Sequence, residues 1–334
     1  MNIAAYFASL SFANLLSRMP AAAAQGIVWG LMALGVYITF RLLDVADLTV
    51  DGSFTTGGAV TAVLILAGWP AWAALLAALA AGILAGLCTG LIHTRLGIPA
   101  ILAGILTQFA LYSINLRIMG KSPNLSASVN KYGMLWESAG GKGFLLSSRY
   151  VPQAILVGLV LSVIVISVCY WYFGTEQGSA LRATGSNPAM SRAQGINIDT
   201  MKVLGLALSN GLVALAGGLM TQFQGTADVN MGRGAIVIGL AAVIIGEVLC
   251  DALFRKGCNF AVRLGFVVGG GIAYYIVMTV ILWLKLDSND LKLFTAVIVA
   301  VFLAVPYLQA QARSSFKHAG KMAQKIEKEA APHA

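Results

Sequence analysis

RLLDVADLTVDGSF, residues 41–54, sets four charges, Arg41, Asp44, Asp47 and Asp51, between two strongly apolar segments of a chain in which charge is scarce. Of 334 residues, 58% are hydrophobic and 10% charged, against roughly 45–50% and 25% in a soluble domain. An ordinary soluble protein is therefore excluded. Several apolar runs approach the roughly 20 residues that a helix needs to cross about 30 Å of hydrocarbon, and many are rich in the Gly and Ala that let membrane helices pack closely. The charged stretch thus interrupts an all-α polytopic membrane protein.

Working outward from it, hydropathy broken at Pro, Gly and charge predicts spans near 21–40, 54–67, 71–93, 98–118, 151–173, 203–223 and 235–249. A longer apolar region, 262–308, holds two more, split by LKLDSNDLK. The expectation is about nine transmembrane helices, within a range of eight to ten. Residues 1–20 read as an N-terminal apolar helix, interfacial or an extra span; they lack a basic n-region, which argues against a cleaved signal peptide. The permeating domain is expected over 21–310, with an extracytoplasmic segment at 119–150, a cytoplasmic loop at 174–202 and a basic cytoplasmic tail at 311–334.

The net charge of +9 does not point to nucleic acid, because the basic residues sit mostly in short loops and in the tail. Counting Lys and Arg in short loops puts Arg95, Arg182, Arg192, Lys202, Arg255, Lys256 and the tail on the cytoplasmic side; Lys121, Lys131, Lys142 and Arg149 fall outside, in a loop long enough to weaken the rule. The four cysteines, Cys88, Cys169, Cys250 and Cys258, have no CxxC spacing and read as small apolar packers, and the three histidines do not cluster. No metal site, cofactor site or catalytic constellation is expected.

Sliding the chain on itself by 181 residues lays VADLTV, residues 45–50, over TADVNM, residues 226–231, pairing Ala46 with Ala227 and Asp47 with Asp228. Five predicted spans separate the echoes, so the two motifs face opposite sides of the membrane, as in a weak inverted internal repeat whose polar interruptions mark a substrate route. In a helix Arg41, Asp44, Asp47 and Asp51 share one face, and each would cost roughly 2.5–3.5 kcal/mol at the lipid-facing centre of a span. They either lie at the cytoplasmic interface or line a polar cavity, with Arg41 close enough to Asp44 to pair. The following GSFTTGG suits a broken helix. Candidate pathway residues are Asp47, Thr49, Asp51, Ser53, Thr55, Asp228 and Asn230, with Thr56 nearby. Glu247 and Asp251 read as an interface anchor neutralised by Arg255 and Arg263.

The polar loop GTEQGSALRATGSNPAMSRAQGINIDTMK, residues 174–202, reads as one or two short helices, with Ser186 or Asn187 as cap and Pro188 at the first helical position. Its small residues leave a flat surface from which Arg182 and Arg192 project, a shape suited to the groove of a partner protein.

RLLDVADLTVDGSFTTGGAV together with ALRATGSNPAMSRAQGINIDTMKVLGLALSNGLVALAGGLMTQFQGTADVNMGRGAIVIGLAAVIIGE resembles the inner-membrane permease family of bacterial ABC importers that includes the branched-chain amino acid and ribose permeases, in the branch written around DLTVDGS. The resemblance covers about residues 25–308. It implies a multi-pass permease without chemistry of its own, two copies forming the path for a small polar solute, with an amino acid or related compound as the expected class. It further implies cytoplasmic ABC ATPases docked on a coupling helix over residues 180–195, and an extracytoplasmic solute-binding protein. On this sequence the coupling positions would be Ala180, Arg182, Gly185, Asn187, Arg192 and Gly195. An ion-coupled secondary transporter is the competing expectation, with Asp47, Asp51, Asp228 or Glu247 as its ion site; an inverted repeat serves either.

Overall fold

The computed structural model describes residues 12–127, 131–134, 143–254 and 259–283, with Leu293, Ala296, Val297, Ala300, Val301 and Ala304 beyond them, all helical. The chain forms two compact units, Met1–Leu286 and Asp287–Ala334. The predicted ninth span and the basic tail fall in the second unit, largely outside the described residues. In the first unit, helix α1 (Phe12–Tyr37) runs through Pro20 without a break and continues into a π-helical turn, Ile38–Leu42. There follow α2 (Thr49–Leu66), α3 (Ala71–Arg95), α4 (Ala100–Ile118), α5 (Val151–Gly174), the short α6 (Glu176–Ser186) and α7 (Pro188–Ala193), α8 (Ile198–Gln224), α9 (Ala235–Leu253) and α10 (Phe260–Trp283). Eight of these, counting α1 with its π turn and leaving out α6 and α7, are long and apolar enough to cross a membrane.

Burial sorts the spans into two classes. In the most apolar stretches of α1, α2 and α8, 83%, 72% and 72% of residues are buried, against 28% in α4 and α5. The first three are the interior of the bundle; α4 and α5 lie at its periphery. Close approach in the interior comes from glycine. A side chain on Gly57 of α2 would collide with the Ala214 carbonyl of α8, and one on Gly217 of α8 with the Phe54 carbonyl of α2. These reciprocal contacts leave no room for a methyl group and bring the two backbones together, the packing that small residues permit in membranes. Trp29 of α1 fills the space beside them, stacked on Phe54 with ring centroids 5.0 Å apart.

Alternation of the spans puts residues 43–48, 96–99 and 175–197 on one side, the side of Arg95, Arg182 and Arg192. On the other side strand β1 (Asn124–Ser126) pairs antiparallel with β2 (Thr226–Asp228), Asn124 opposite Asp228. Around this ribbon the Leu145 amide donates to Gln222 Oε1 (2.8 Å) and the Ser148 amide to the Phe223 carbonyl (3.0 Å), so the segment between α4 and α5 is fastened to the end of α8. Cys88 and Cys169 are free thiols, whereas Cys250 is disulfide-bonded, a departure from the expectation of four plain packers.

Three span starts differ from the hydropathy reading by a turn or more; the first is α1, in which residues 12–20 continue the first span rather than forming a separate helix. Helix α2 begins at Thr49 and α8 at Ile198, each about one turn earlier than predicted. In both cases a polar side chain closes the first turn: Asp47 Oδ1 accepts from the Thr49 amide (2.9 Å) and Asn197 Oδ1 from the Thr200 amide (3.2 Å). Hydropathy counts such residues against a span, but Asp47 is buried where its oxygens meet protein donors, and the exposed Asn197 caps α8 ahead of its apolar stretch.

Candidate functional site

The charged stretch is not a continuous helix. After the π turn, Asp44 adopts a left-handed φ of 54°, a conformation that Asp tolerates better than most residues. The chain then crosses in extended and turn conformation to the start of α2. The exposed Asp44 is not the partner of Arg41; Arg41 Nε instead meets Glu247 Oε1 of α9 at 2.8 Å. Asp251 lies 3.9 Å from Arg263. The wider π turn and the reversal at Asp44 take the two neighbouring charges apart, so the local i, i+3 expectation fails.

Asp47, only 3% exposed, points into the bundle. Its Oδ2 accepts from Asn210 Nδ2 of α8 at 2.7 Å, and Asn210 Oδ1 accepts from Ser53 Oγ at 2.6 Å. Thr49 Oγ1 lies 2.8 Å from Thr89 Oγ1 of α3. Asp47, Thr49 and Ser53, expected along a pathway, are thus fully enclosed in a hydrogen-bonded network that ties α2 to α3 and α8. The physical reason is burial of a charge: a carboxylate in a bundle core is retained only where donors surround it.

The second echo makes the same turn. Asp228 Oδ1 accepts from the Asn230 amide at 2.6 Å, as Asp47 does from Thr49, two residues on in each case. Its surroundings differ, for Asp228 is half-buried and Asn230 exposed. The two echoes also interlock. Asp51, on the first turn of α2, directs Oδ2 to the Gly234 amide and Oδ1 to the Ile236 amide, both at 3.0 Å, and so caps the start of α9. An anion there satisfies two otherwise unpaired N–H groups and meets the positive end of the helix dipole. The Gly232 amide donates to Thr55 Oγ1 (3.2 Å), and Gly232 lies against the Asp51 carbonyl so closely that a Cβ would not fit.

Beside this interlock lies a cavity of about 590 Å³, lined by Asp51, Gly52 and Thr55 of α2, Gln108, Phe109, Tyr112 and Asn115 of α4, and Val229 and Arg233 of the connection to α9. Of the sequence-predicted pathway residues, Asp51 and Thr55 reach it. The α4 residues were not among the candidates, although Gln108, Tyr112 and Asn115 recur at i, i+4, i+7 in an otherwise apolar span, the signature of one polar helix face. Among the described residues no group of His, Cys, Asp or Glu is placed to hold a metal ion.

Between α5 and α8 Thr175 Oγ1 caps α6, and Asn187 Oδ1 accepts from the Met190 amide (3.0 Å) to cap α7 with Pro188 at its first position, as its sequence predicts. Helix α6 buries Gly178, Leu181 and Thr184. Gly185 packs on the Leu42 carbonyl and Leu43, with no room for a side chain, so it touches this chain rather than facing outward. Arg182 is exposed and lies over the Phe260 ring, 5.8 Å from its centroid. Ala180 is half-buried, while Asn187, Arg192 and Gly195 are exposed; Gly195 has a φ of 81° with open space around it. The exposed face of the pair is completed by Ala183, Ala189 and Met190.

The sequence model of the family described as branched-chain amino acid transport system / permease component matches residues 19–306. The chain belongs to this permease family. It is accordingly a transport subunit of the bacterial inner membrane and not an enzyme. The permease is 36% identical over 284 residues to the tyrosine transport system permease protein of Clostridioides difficile (strain R20291), covering 84% of this chain and 88% of that relative. It is 32% identical over 288 residues to an uncharacterized protein of Rickettsia prowazekii (strain Madrid E), 84% of this chain and 94% of the relative. The ribose import permease protein of Escherichia coli (strain K12) is 26% identical over 223 residues, 66% of either chain. No solved structure matches the permease.

Proposed function

We propose that the permease is the membrane-spanning subunit of an ATP-binding-cassette importer for an amino acid or a closely related small polar solute. Two copies enclose the path, cytoplasmic ATPases dock on α6 and α7, and a solute-binding protein delivers to the extracytoplasmic face formed by the β1–β2 ribbon and its flanking loops. The observation that carries this reading is the seating of α6 on Leu42 and Leu43, directly before the broken-helix segment. A partner that moves α6 moves the entry to that segment, while Arg182, Asn187, Arg192 and the small residues between them remain open for contact. Amino-acid cargo is supported by the tyrosine permease relative, the more similar of the two named transport relatives.

The ion-coupled alternative gains nothing from the carboxylates. Asp47 and Asp51 already accept from the amides of Thr49, Gly234 and Ile236 and from Asn210, and Glu247 meets Arg41. An ion coordinated by Asp47 would displace the Thr49 and Asn210 donors that fix the start of α2.

The deciding test is purification from the native membrane in mild detergent, followed by mass identification and an ATPase assay. Recovery of a nucleotide-hydrolysing chain that is lost on Arg182→Glu together with Arg192→Glu is expected. A chain purified alone, with uptake driven by an ion gradient and indifferent to ATP, would overturn the importer.

A further inference from the structure

The cavity between α2, α4 and the connection to α9 brings together three features. Its floor holds Asn115, 1% exposed, whose Oδ1 has no hydrogen-bond partner and whose Nδ2 makes one long contact, 3.4 Å, to the Gly52 carbonyl. A buried amide oxygen without a donor costs on the order of 1–3 kcal/mol, and a ligand N–H entering the cavity would remove that cost. The Asp51 carboxylate lines the same cavity and accepts only from the backbone amides of Gly234 and Ile236. Arg233 lines the same cavity, exposed, with no ion-pair partner among the described residues. Phe109 and Tyr112 are the third feature, a pair of rings on α4 that are 70% and 43% exposed and line this space.

We infer that this cavity is a binding station for a zwitterionic α-amino acid with an aromatic side chain. The ammonium group donates to Asn115 Oδ1 and faces the Asp51 carboxylate. The carboxylate meets the Arg233 guanidinium, whose planar fork suits two oxygens at once. The ring lies against Phe109 and Tyr112, where stacking adds to apolar burial. The volume falls within the range of small-molecule sites. Other solutes fit less of the site: a sugar brings no charge to either Asp51 or Arg233, a simple anion is repelled by Asp51, and an inorganic cation makes no use of the rings. The inference rests on the amino-acid reading given above and adds where in the permease the solute is held and by which atoms.

The test is equilibrium binding of tritiated L-tyrosine to the full-length permease in lipid nanodiscs. Competitors are tyramine, which lacks the carboxylate, 3-(4-hydroxyphenyl)propanoate, which lacks the ammonium, and L-alanine, which lacks the ring. Saturable binding is expected, with each competitor weaker than tyrosine by about tenfold or more, a single charge-assisted contact or ring. Arg233→Gln is expected to weaken tyrosine by about tenfold and leave tyramine unchanged, and Phe109→Ala to weaken tyrosine while sparing alanine. Both side chains are exposed, and a monodisperse elution profile confirms that the variants fold. Absence of saturable tyrosine binding, or an equal loss of tyrosine and tyramine in Arg233→Gln, overturns the station. ATP-dependent uptake in proteoliposomes holding the ATPase and the binding protein separates this from the function itself. Amino-acid uptake with unchanged KM in Arg233→Gln keeps the importer and removes the station. Tyrosine binding without ATP-dependent uptake of any amino acid keeps the station and removes the importer.

Discussion

Replacing Asn210 by Leu takes the Nδ2 donor from Asp47 and the Oδ1 acceptor from Ser53 while both stay enclosed. A buried carboxylate left without its donor is among the more damaging defects that a core can carry. We expect Asn210→Leu to cost about 3 kcal/mol, read as a lower unfolding temperature of the purified permease. Asp47→Asn keeps an oxygen for the Thr49 amide and is expected to cost less, about 1–2 kcal/mol; the reverse order would show that the network does not hold these helices. Asp51→Ala strips two acceptors from the start of α9 and is expected to cost about 1–2 kcal/mol, in the range of a lost helix cap, with Asp51→Asn retaining part of it. That these residues matter was legible from their charge in an apolar chain. Their partners were not, because Asp47 finds Asn210 163 residues away and Arg41 finds Glu247 at 206, separations that leave no local pattern.

Helix ends divide in the same way. The cap at Asn187 and the place of Pro188 could be read because the bond closes within three residues. The break before α2 could not be located, since the π turn and the left-handed Asp44 answer to packing around them, and the only sequence sign was an Asp that tolerates such a backbone. At this scale Gly185 gives the sharpest test. Gly185→Val drives a side chain into the Leu42 carbonyl, so α6 must lift from the end of α1. Spans unchanged by circular dichroism, with ATPase stimulation by the permease lost, is the expected outcome. Normal stimulation would mean that α6 transmits nothing through Leu42. Gly57→Val and Gly217→Val, by contrast, wedge α2 from α8 in the interior and are expected to abolish accumulation of folded protein in the membrane, which immunoblotting of membrane fractions reads directly.

For the whole molecule, the class and eight of the spans were legible, because hydropathy acts along the chain over lengths set by the bilayer. The cavity was not, because it is assembled from α2, α4 and the connection before α9, whose polar residues come together only on folding. Sidedness has its own test. In a background without native cysteines, Ser126→Cys, beside β2, is expected to react with a membrane-impermeant maleimide from the periplasmic side, and Ser186→Cys, at the end of α6, only after the inner membrane is opened. Labelling of both from one side would invert or break the alternation. The interlock between the two echoes also bears on which residues each position can hold. The offset that lays Asp47 on Asp228 lays Asp51 on Gly232, and these two residues meet: the space that a side chain on Gly232 would need is filled by the Asp51 backbone carbonyl. An acid at both positions would not fit, so the two segments close on each other only because they differ at this pair.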